Sequence, residues 1–166
     1  MNERALVLRA QSGDRHAFDE LLRSVQRPIY NYVAAIAPGI AEDVLQETFV
    51  SVVRNLKWLR DPSLFRAWIY RIASREAFRT LRRLRHDAGV EEADTVVADS
   101  PPADPWIRDR LARSTNALPP ASRAVVLLHY FEEMTLVEVA SVLDISIGTV
   151  KSRLAYALAQ LRKEIV

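Results

Sequence analysis

The sequence contains no cysteine among its 166 residues. This absence excludes disulfide bonds, zinc sites built on cysteine and thiol catalysis. Glycine is also scarce, and none of the 4 glycines lies in a GxGxxG or GxxxxGK[ST] pattern. The glycine-rich phosphate loops of nucleotide-binding proteins are therefore excluded. Because glycine and alternating β-branched residues are both few, the sequence disfavours a sheet protein.

Long hydrophobic runs are absent as well. No run approaches the ~18 apolar residues that a membrane-spanning helix requires, and no basic-then-apolar signal segment opens the chain. We therefore expect a cytoplasmic protein without membrane insertion. Hydrophobic residues make up 49% of the chain and charged residues 27%. This composition can form a core, which excludes disorder throughout.

Charge is unevenly distributed along the chain. Residues 1–86 contain 15 basic and 9 acidic residues, residues 87–118 contain 3 and 7, and residues 119–166 contain 5 of each. This pattern indicates two modules joined by an acidic connector. Of the 23 cations, 20 are arginine. Arginine is the better phosphate ligand, but a GC-rich genome would produce the same bias, so both explanations remain open.

Hydrophobic periodicity predicts helices throughout the first block. We expect them over about 3–10, from Asp14 to the Pro38-Gly39 break, over about 42–55 and over about 63–85. Asp14 is predicted to cap the second helix, which Pro28 should kink or interrupt with a new helix start. Along the third helix, the residues expected to point inward are Val44, Leu45, Phe49, Val52 and Val53.

The stretch 87–105 carries six acidic residues, no basic residue and three prolines. It predicts a flexible, extended linker. A helical pattern resumes near Trp106, and a proline-marked helix start follows Leu118.

The C-terminal block predicts a helix-turn-helix. Helices are expected over about 120–131, from Thr135 and over about 147–165, with Thr135 and Glu138 forming a capping box. Asp144 would take the left-handed conformation of the turn, and the small Ala140 would lie where the two helices cross. The last helix could enter a DNA major groove. The alternative is a three-helix bundle with a solvated cationic face. The residues presented away from the core would be Thr149, Lys151, Ser152, Arg153 and Tyr156.

The fourth helix carries an arginine stripe. At ~100° per residue its members fall within an arc of about 120°, and Glu76 is the one acid that interrupts them. A stripe of one sign repels itself unless a polyanion lies along it, which favours nucleic acid over a solvated face. Trp68 and Phe78 lie near its edges and could stack on bases or belong to the core. The stripe consists of Arg71, Arg75, Arg79, Arg82 and Arg85.

The short connection from Lys57 to Ser63 also contains Trp58, Arg60 and Asp61. Such a loop can hold a flipped base by stacking and edge hydrogen bonds. Taken alone it is a weak signal, because many helix connections have a similar composition.

Catalytic and metal chemistry are not indicated. His16, His86 and His129 share no ligand spacing, and no nucleophile is paired with a base. We therefore expect no enzyme activity, no metal, no cofactor and no small-molecule substrate.

Three motifs stand in order along the chain: AEDVLQETFVSVVRNL, FRAWIYRIASREAFRTLRRLRH and LPPASRAVVLLHYFEEMTLVEVASVLDISIGTVKSRLAYALAQLRKEI. Together they resemble the extracytoplasmic-function (group IV) branch of the bacterial sigma factors. The resemblance implies an all-α protein of two small helical domains. Region 2, of four-helix type, would cover residues 1–86. A flexible acidic linker would cover 87–117, and region 4, with the helix-turn-helix, would cover 118–166.

The resemblance also implies the function: binding of core RNA polymerase and promoter-specific initiation of transcription. The linker would thread the polymerase channel near the RNA path. Core-polymerase contacts would come from Asp43, Val44, Leu45, Gln46 and Glu47. Minus-ten DNA contacts would come from Lys57, Trp58, Arg60, Asp61, Ser63, Arg71, Arg75, Arg79 and Arg82, and minus-thirty-five contacts from Ser146, Thr149, Lys151, Ser152, Arg153 and Tyr156.

The implied partners are core RNA polymerase, promoter DNA and an anti-sigma factor. The chain departs from the family where an Arg-x-Arg often follows the GTVKSR stretch, because it has Tyr156-Ala157-Leu158 there. Two alternatives remain open. One is a stand-alone helix-turn-helix regulator, which leaves the DVLQETF surface and the acidic linker unexplained. The other is a sigma-like interaction protein without promoter activity, which the departure favours.

Overall fold

The computed structural model describes residues 2–89 and 117–165, and the regular elements in both ranges are helices. The predicted all-α class is confirmed. Contacts divide the chain into two compact units, Met1–Arg83 and Leu84–Val166. Most of the acidic stretch, and the helical pattern expected near Trp106, lie outside the described residues, so the linker remains a prediction.

The N-terminal unit consists of four helices and a loop with two short 3₁₀ turns. Asp14 caps the second helix as predicted, because its carboxylate accepts a hydrogen bond from the backbone N–H of Ala17 at 3.0 Å. The helices are α1 (Glu3–Gln11), α2 (Arg15–Ile36), α3 (Ala41–Asn55) and α4 (Phe65–Asp87), and the 3₁₀ turns are Leu56–Trp58 and Pro62–Leu64.

Helix α2 runs through Pro28. Of the two predicted alternatives, a new helix start at this proline is therefore excluded, and a kink within the helix is not. Proline removes one backbone hydrogen bond from a helix interior. Val25 and Ile29, on either side of it, are both buried. Their packing holds the helix continuous across the missing bond, since helical stability in a protein comes mainly from the buried face.

A buried polar contact joins α2 to α4 in the middle of the core. The hydroxyls of Tyr32 and Ser74 lie 2.8 Å apart, and Ser74 also donates to the carbonyl of Tyr70 at 2.7 Å. The rings of Tyr32 and Tyr70 pack edge-on with centroids 5.2 Å apart. Aromatic packing and a satisfied hydroxyl pair thus fix the register of the two helices.

One apolar residue of α3 faces solvent where the helical pattern placed it inward. The exposed fraction of Val53 is 61%. On α3 the buried residues include Val44, Thr48 and Val52, so the covered arc is narrower than the hydrophobic pattern. Val53 falls outside that arc, and its predicted inward position was wrong.

The C-terminal unit contains the predicted helix-turn-helix. Thr135 and Glu138 form the expected capping box, with each side chain bonded to the backbone N–H of the other. Asp144 takes the left-handed conformation at φ 55° and ψ 48°. The helices are α5 (Pro120–Val126), which continues into a π-helical turn (Leu127–Phe131), α6 (Leu136–Leu143) and α7 (Ile147–Ile165).

Candidate functional site

The loop between α3 and α4 exposes a tryptophan. Trp58 is 70% exposed, and the ammonium of Lys57 lies 5.1 Å from the centroid of its ring. Burying a large indole would release water from apolar surface. An exposed ring beside a cation is a surface on which an unpaired base can stack while its phosphate meets positive charge. Arg60, two residues further on, is also exposed.

The second half of the loop is shaped by Asp61. Its carboxylate accepts hydrogen bonds from the hydroxyl of Ser63 at 2.6 Å and from the backbone N–H of Ser63 at 3.0 Å. The pKa of Asp61 is lowered mainly by the hydrogen bond from the Ser63 hydroxyl. The backbone N–H of Ser63 and the nearby charge of Arg4 lower it further. The carboxylate is therefore ionised near neutral pH and fixes the turn that begins α4.

Sequence reasoning missed Gln11, the last residue of α1. Its side-chain amide donates to two loop carbonyls, that of Leu56 at 2.9 Å and that of Leu59 at 2.8 Å. These partners are 45 and 48 residues away in sequence. A glutamine at a helix end carries no local signal for such a contact, so only the packing of α1 on the loop reveals it.

The arginine stripe on α4 is uneven. Arg75 and Arg82 are exposed. Arg79 is also exposed, but its guanidinium bonds to Glu76 one turn earlier. Arg71 is half-buried, and its Nε is buried with no hydrogen-bond partner among the described residues. The predicted one-sign surface is therefore centred on Arg75 and Arg82.

The two aromatic residues beside the stripe are half-buried. Trp68 packs toward Phe65 with ring centroids 6.1 Å apart, and Phe78 is also partly covered. Trp68 therefore contributes to the core, and Trp58 is the more exposed stacking surface.

The residues predicted for polymerase contact divide between surface and core. Asp43, Gln46 and Glu47 are exposed, Leu45 is half-buried and Val44 is buried at 2% exposure. Val44 therefore anchors the helix. The three exposed residues line a polar groove of about 430 Å³ between α3 and α4. Its other lining residues are Val44, Glu76, Arg79, Thr80 and Arg83.

Two valines extend the outer face of α3. Val50 is 42% exposed, and Val53 is exposed more fully. Their spacing of seven and ten residues from Asp43 places them on the same side of the helix. This face is polar near its N-terminus and apolar near its C-terminus. Sequence periodicity obscured the apolar half because valine is also a core residue.

Helix α7, the second helix of the helix-turn-helix, begins with a local cap. The hydroxyl of Ser146 accepts a hydrogen bond from the backbone N–H of Thr149 at 3.1 Å, and the two hydroxyls lie 2.9 Å apart. Of the other predicted contact residues, Lys151 is exposed, whereas Ser152, Arg153 and Tyr156 are half-buried. Ser146 thus has a structural role in starting the helix as well as a position near its exposed end.

The departure from the family pattern falls on two unlike positions. Leu158 is 4% exposed and belongs to the core of the unit, whereas Tyr156 is half-buried at the surface. The departure therefore changes the chemistry of the α7 surface at position 156, while position 158 serves the packing of the unit.

Within residues 2–89 and 117–165, no group of three or more potential ligand side chains is arranged to hold a metal ion. None of the helices in those ranges combines the length and apolarity needed to cross a bilayer.

Two family models match the chain. Sigma-70 region 2 matches residues 17–86, and Sigma-70, region 4 matches residues 116–163. The matches contain the loop, the arginine stripe and the helix-turn-helix, but α1 and Gln11 precede the first of them.

Curated relatives match over nearly their whole length. The chain is 26% identical to the ECF RNA polymerase sigma factor SigW of Bacillus subtilis, covering 96% of this chain and 94% of that protein. It is 28% identical to the ECF RNA polymerase sigma-E factor of Escherichia coli strain K12, covering 93% and 89%.

Solved structures are similar as well. CnrH in complex with the cytosolic domain of CnrY matches with a TM-score of 0.69 and 28% identity, over 98% of this chain and 96% of that one. The sigma factor RpoE of Bartonella quintana, in complex with the anti-sigma factor NepR, matches with a TM-score of 0.69 at 19% identity, over 89% and 96%. The second likeness concerns the fold alone.

Proposed function

We propose a role in promoter recognition for each of the surfaces described above. The chain belongs to the sigma-70 family, in its extracytoplasmic-function branch. The protein directs core RNA polymerase to promoters. The observation that carries the assignment is the occurrence of both sigma-70 regions in order on one chain. We assign region 2 to 1–86, the linker to 87–117 and region 4 to 118–166.

Core polymerase binds the outer face of α3. The polar residues Asp43, Gln46 and Glu47 are free to meet a partner, and the exposed Val50 and Val53 add apolar area on the same side. Val44 and Leu45 hold the face in place from beneath. A polar contact bordered by apolar side chains fits the general anatomy of a protein interface.

The loop from Lys57 to Ser63 captures one unpaired base of the minus-ten element. Trp58 offers the stacking surface, and Lys57 and Arg60 offer charge to the adjoining phosphates. Unstacking costs ~1.4 kcal/mol per base step. Stacking one base on an aromatic side chain returns ~1–3 kcal/mol. One pocket can therefore nucleate melting, while the polymerase must hold the rest of the bubble open.

The arginine stripe follows the DNA backbone next to this loop. Exposed Arg75 and Arg82 contact phosphates directly, and Arg79 does so from its pair with Glu76. Arg71 is half-buried and lies at the N-terminal end of the stripe, where it adds charge to the same surface. Phosphate contacts of this kind fix position and carry no sequence information.

Helix α7 contacts the minus-thirty-five element from the major groove. Lys151 and Arg153 supply the charged contacts, and Ser152 and Tyr156 the neutral ones. The N-terminal turn, capped by Ser146, presents backbone N–H groups and the positive end of the helix dipole to phosphate.

The chain performs no catalytic step of its own and acts in the cytoplasm, where the polymerase works. We propose an anti-sigma factor as its third partner, since the similar CnrH is held in a complex with the cytosolic domain of another protein, CnrY. Pull-down from cells should recover it. Full promoter activity in cells with no inhibitory partner recovered would contradict this part of the proposal.

Run-off transcription tests the assignment. The purified chain and sigma-free core polymerase are mixed with a library of genomic promoter fragments, and transcripts are mapped. We expect discrete transcripts that depend on the chain and share two upstream elements. The control reaction contains core polymerase alone.

The other outcomes discriminate the alternatives. Co-elution with core polymerase without transcripts would identify an interaction protein that lacks promoter activity. Sequence-specific DNA binding without co-elution would identify a stand-alone regulator.

A further inference from the structure

We propose that Gln11 is the positioning residue for base capture. Its side-chain amide holds the base-capturing loop in its working shape through two loop carbonyls. The inference deepens the role proposed above for the loop and depends on it. Gln11 precedes the residues matched by the region 2 model.

The geometry of the contact restrains both ends of the turn that carries the tryptophan. The amide nitrogen of Gln11 donates to the carbonyls of Leu56 and Leu59, at 2.9 and 2.8 Å, and Trp58 lies between them. The carbonyl of Leu56 also accepts the N–H of Leu59 at 3.1 Å, which closes the 3₁₀ turn. Each of the two amide protons of Gln11 thus has a carbonyl partner.

The apolar residues of the loop anchor it unevenly. Leu56 is buried and Leu59 half-buried, but Trp58 and Leu64 are largely exposed. Hydrophobic burial therefore holds the start of the loop most firmly and leaves the tryptophan side chain itself uncovered. The amide of Gln11 supports this part of the loop, because it fixes the backbone on either side of the indole.

Helix α1 supports the second half of the loop as well. It packs against the 3₁₀ turn Pro62–Leu64, and the charge of Arg4 helps to lower the pKa of Asp61. Both halves of the loop are thus held from α1. A loop held in its bound shape binds more tightly, since less conformational freedom is lost when the base stacks.

The contact accounts for a glutamine at this position. Gln11 is half-buried at the end of α1, with its amide against the carbonyls of Leu56 and Leu59. A methionine of similar length would leave the two carbonyls without these donors, and a partly buried carbonyl without a donor is unfavourable. The amide therefore holds the loop backbone in this shape.

The test uses holoenzyme assembled from the full chain and core polymerase. The probe is a fluorescent single-stranded oligonucleotide that carries the non-template minus-ten sequence of a promoter mapped by run-off transcription. A second oligonucleotide has an abasic site in place of the captured base. The ratio of the two dissociation constants measures how much the loop gains from the base, independently of the amount of folded protein.

Two variants of Gln11 remove the donors in different ways. Gln11→Met keeps the length and apolar contact of the side chain, and Gln11→Glu keeps its shape but turns acceptor oxygens toward the carbonyls. The matched control is Gln26→Glu, the same chemical change at an exposed amide on α2. Trp58→Ala reports on the proposed role of the loop itself.

We expect a dissociation-constant ratio of roughly tenfold or more for the wild type. Both Gln11 variants should lower it about fivefold, as expected when two hydrogen bonds are removed, with core-polymerase affinity unchanged. Gln26→Glu should leave it within about twofold. Deuterium exchange of the loop peptide should rise in Gln11→Met and stay unchanged in the control.

Three outcomes would overturn the proposal, and they are distinguishable. If Trp58→Ala abolishes the ratio but the Gln11 variants retain it, the loop captures the base without help from Gln11. If Trp58→Ala has no effect, base capture by this loop fails, and the positioning role fails with it. If Gln11→Met loses core-polymerase affinity and melting temperature together with the ratio, the residue is merely structural.

Discussion

At the scale of single residues, Asp14 combines a helix cap with an ion pair. Its carboxylate caps α2 through the N–H of Ala17 and also bonds to the guanidinium of Arg9. The pKa of Asp14 lies below its usual 3.8. The largest cause is the hydrogen bond from the N–H of Ala17, and the second is the hydrogen bond from Arg9. The residue thus joins the end of α1 to the start of α2.

This gives a pH prediction for Asp14→Asn. A carboxyl whose pKa is lowered by folding stabilises the protein above its unfolded pKa and loses that contribution as pH falls through the folded value. The variant should therefore melt below the wild type at pH 7, and the difference should shrink below about pH 4. Melting temperatures between pH 3 and 7 measure this. Asp19→Asn, at an exposed position on α2, is the control. A constant difference across the range would contradict the prediction.

At the scale of elements, the proposed DNA contact of the arginine stripe should depend on its most exposed members. Each phosphate neutralised by an arginine contributes about −0.9 to the slope of log K against log salt. Arg75→Ala and Arg82→Ala together should flatten the slope for duplex promoter binding by roughly 1.8. Arg79→Ala should change it less, because its guanidinium is already paired with Glu76.

The measurement is promoter affinity of the holoenzyme between about 50 and 200 mM salt. Arg15→Ala, at an exposed arginine on α2 outside the stripe, is the matched control and should leave the slope unchanged. An unaltered slope in the double variant would mean that the stripe is a solvated surface.

The turn of the helix-turn-helix offers a second test at this scale. Asp144 holds φ at 55°, where a side chain with a Cβ is strained. Asp144→Gly should raise the free energy of unfolding of the C-terminal unit by about 1 kcal/mol. Asp144→Ala retains the Cβ and should give no gain. Urea unfolding of the three proteins compares them, and equal stability of the glycine and alanine variants would refute the strain argument.

At the scale of the whole molecule, the outer face of α3 is the surface that we propose for assembly with the polymerase. Asp43→Arg reverses a charge on that face without touching the core, since the side chain is exposed. We expect core-polymerase affinity to fall about tenfold or more, because the variant replaces a proposed contact residue by one of opposite charge and larger size. The melting temperature should stay nearly constant.

Affinity is measured by competition with a labelled sigma factor for core polymerase. Glu20→Arg, the same reversal on an exposed part of α2, is the control and should bind normally. Equal affinity of wild type and Asp43→Arg would place the polymerase contact elsewhere on the chain.

The sequence alone determined the helices, their caps and the helix-turn-helix. Asp14, the Thr135–Glu138 capping box and the left-handed Asp144 act over three or four residues, so their signals are local and legible in the sequence. The order of the three motifs also identified the family. Trp58 was also predicted correctly to be exposed, because it lies in a short connection between two predicted helices.

Only the tertiary structure decided which side chains the packed helices leave uncovered and which distant groups meet. Val53 belongs to the hydrophobic pattern of α3, yet the neighbouring helices cover too narrow an arc to bury it. Arg71 belongs to the cationic stripe, yet its Nε is buried. Gln11 meets carbonyls 45 and 48 residues away. Contacts of that range depend on how helices pack, which periodicity along one helix does not encode.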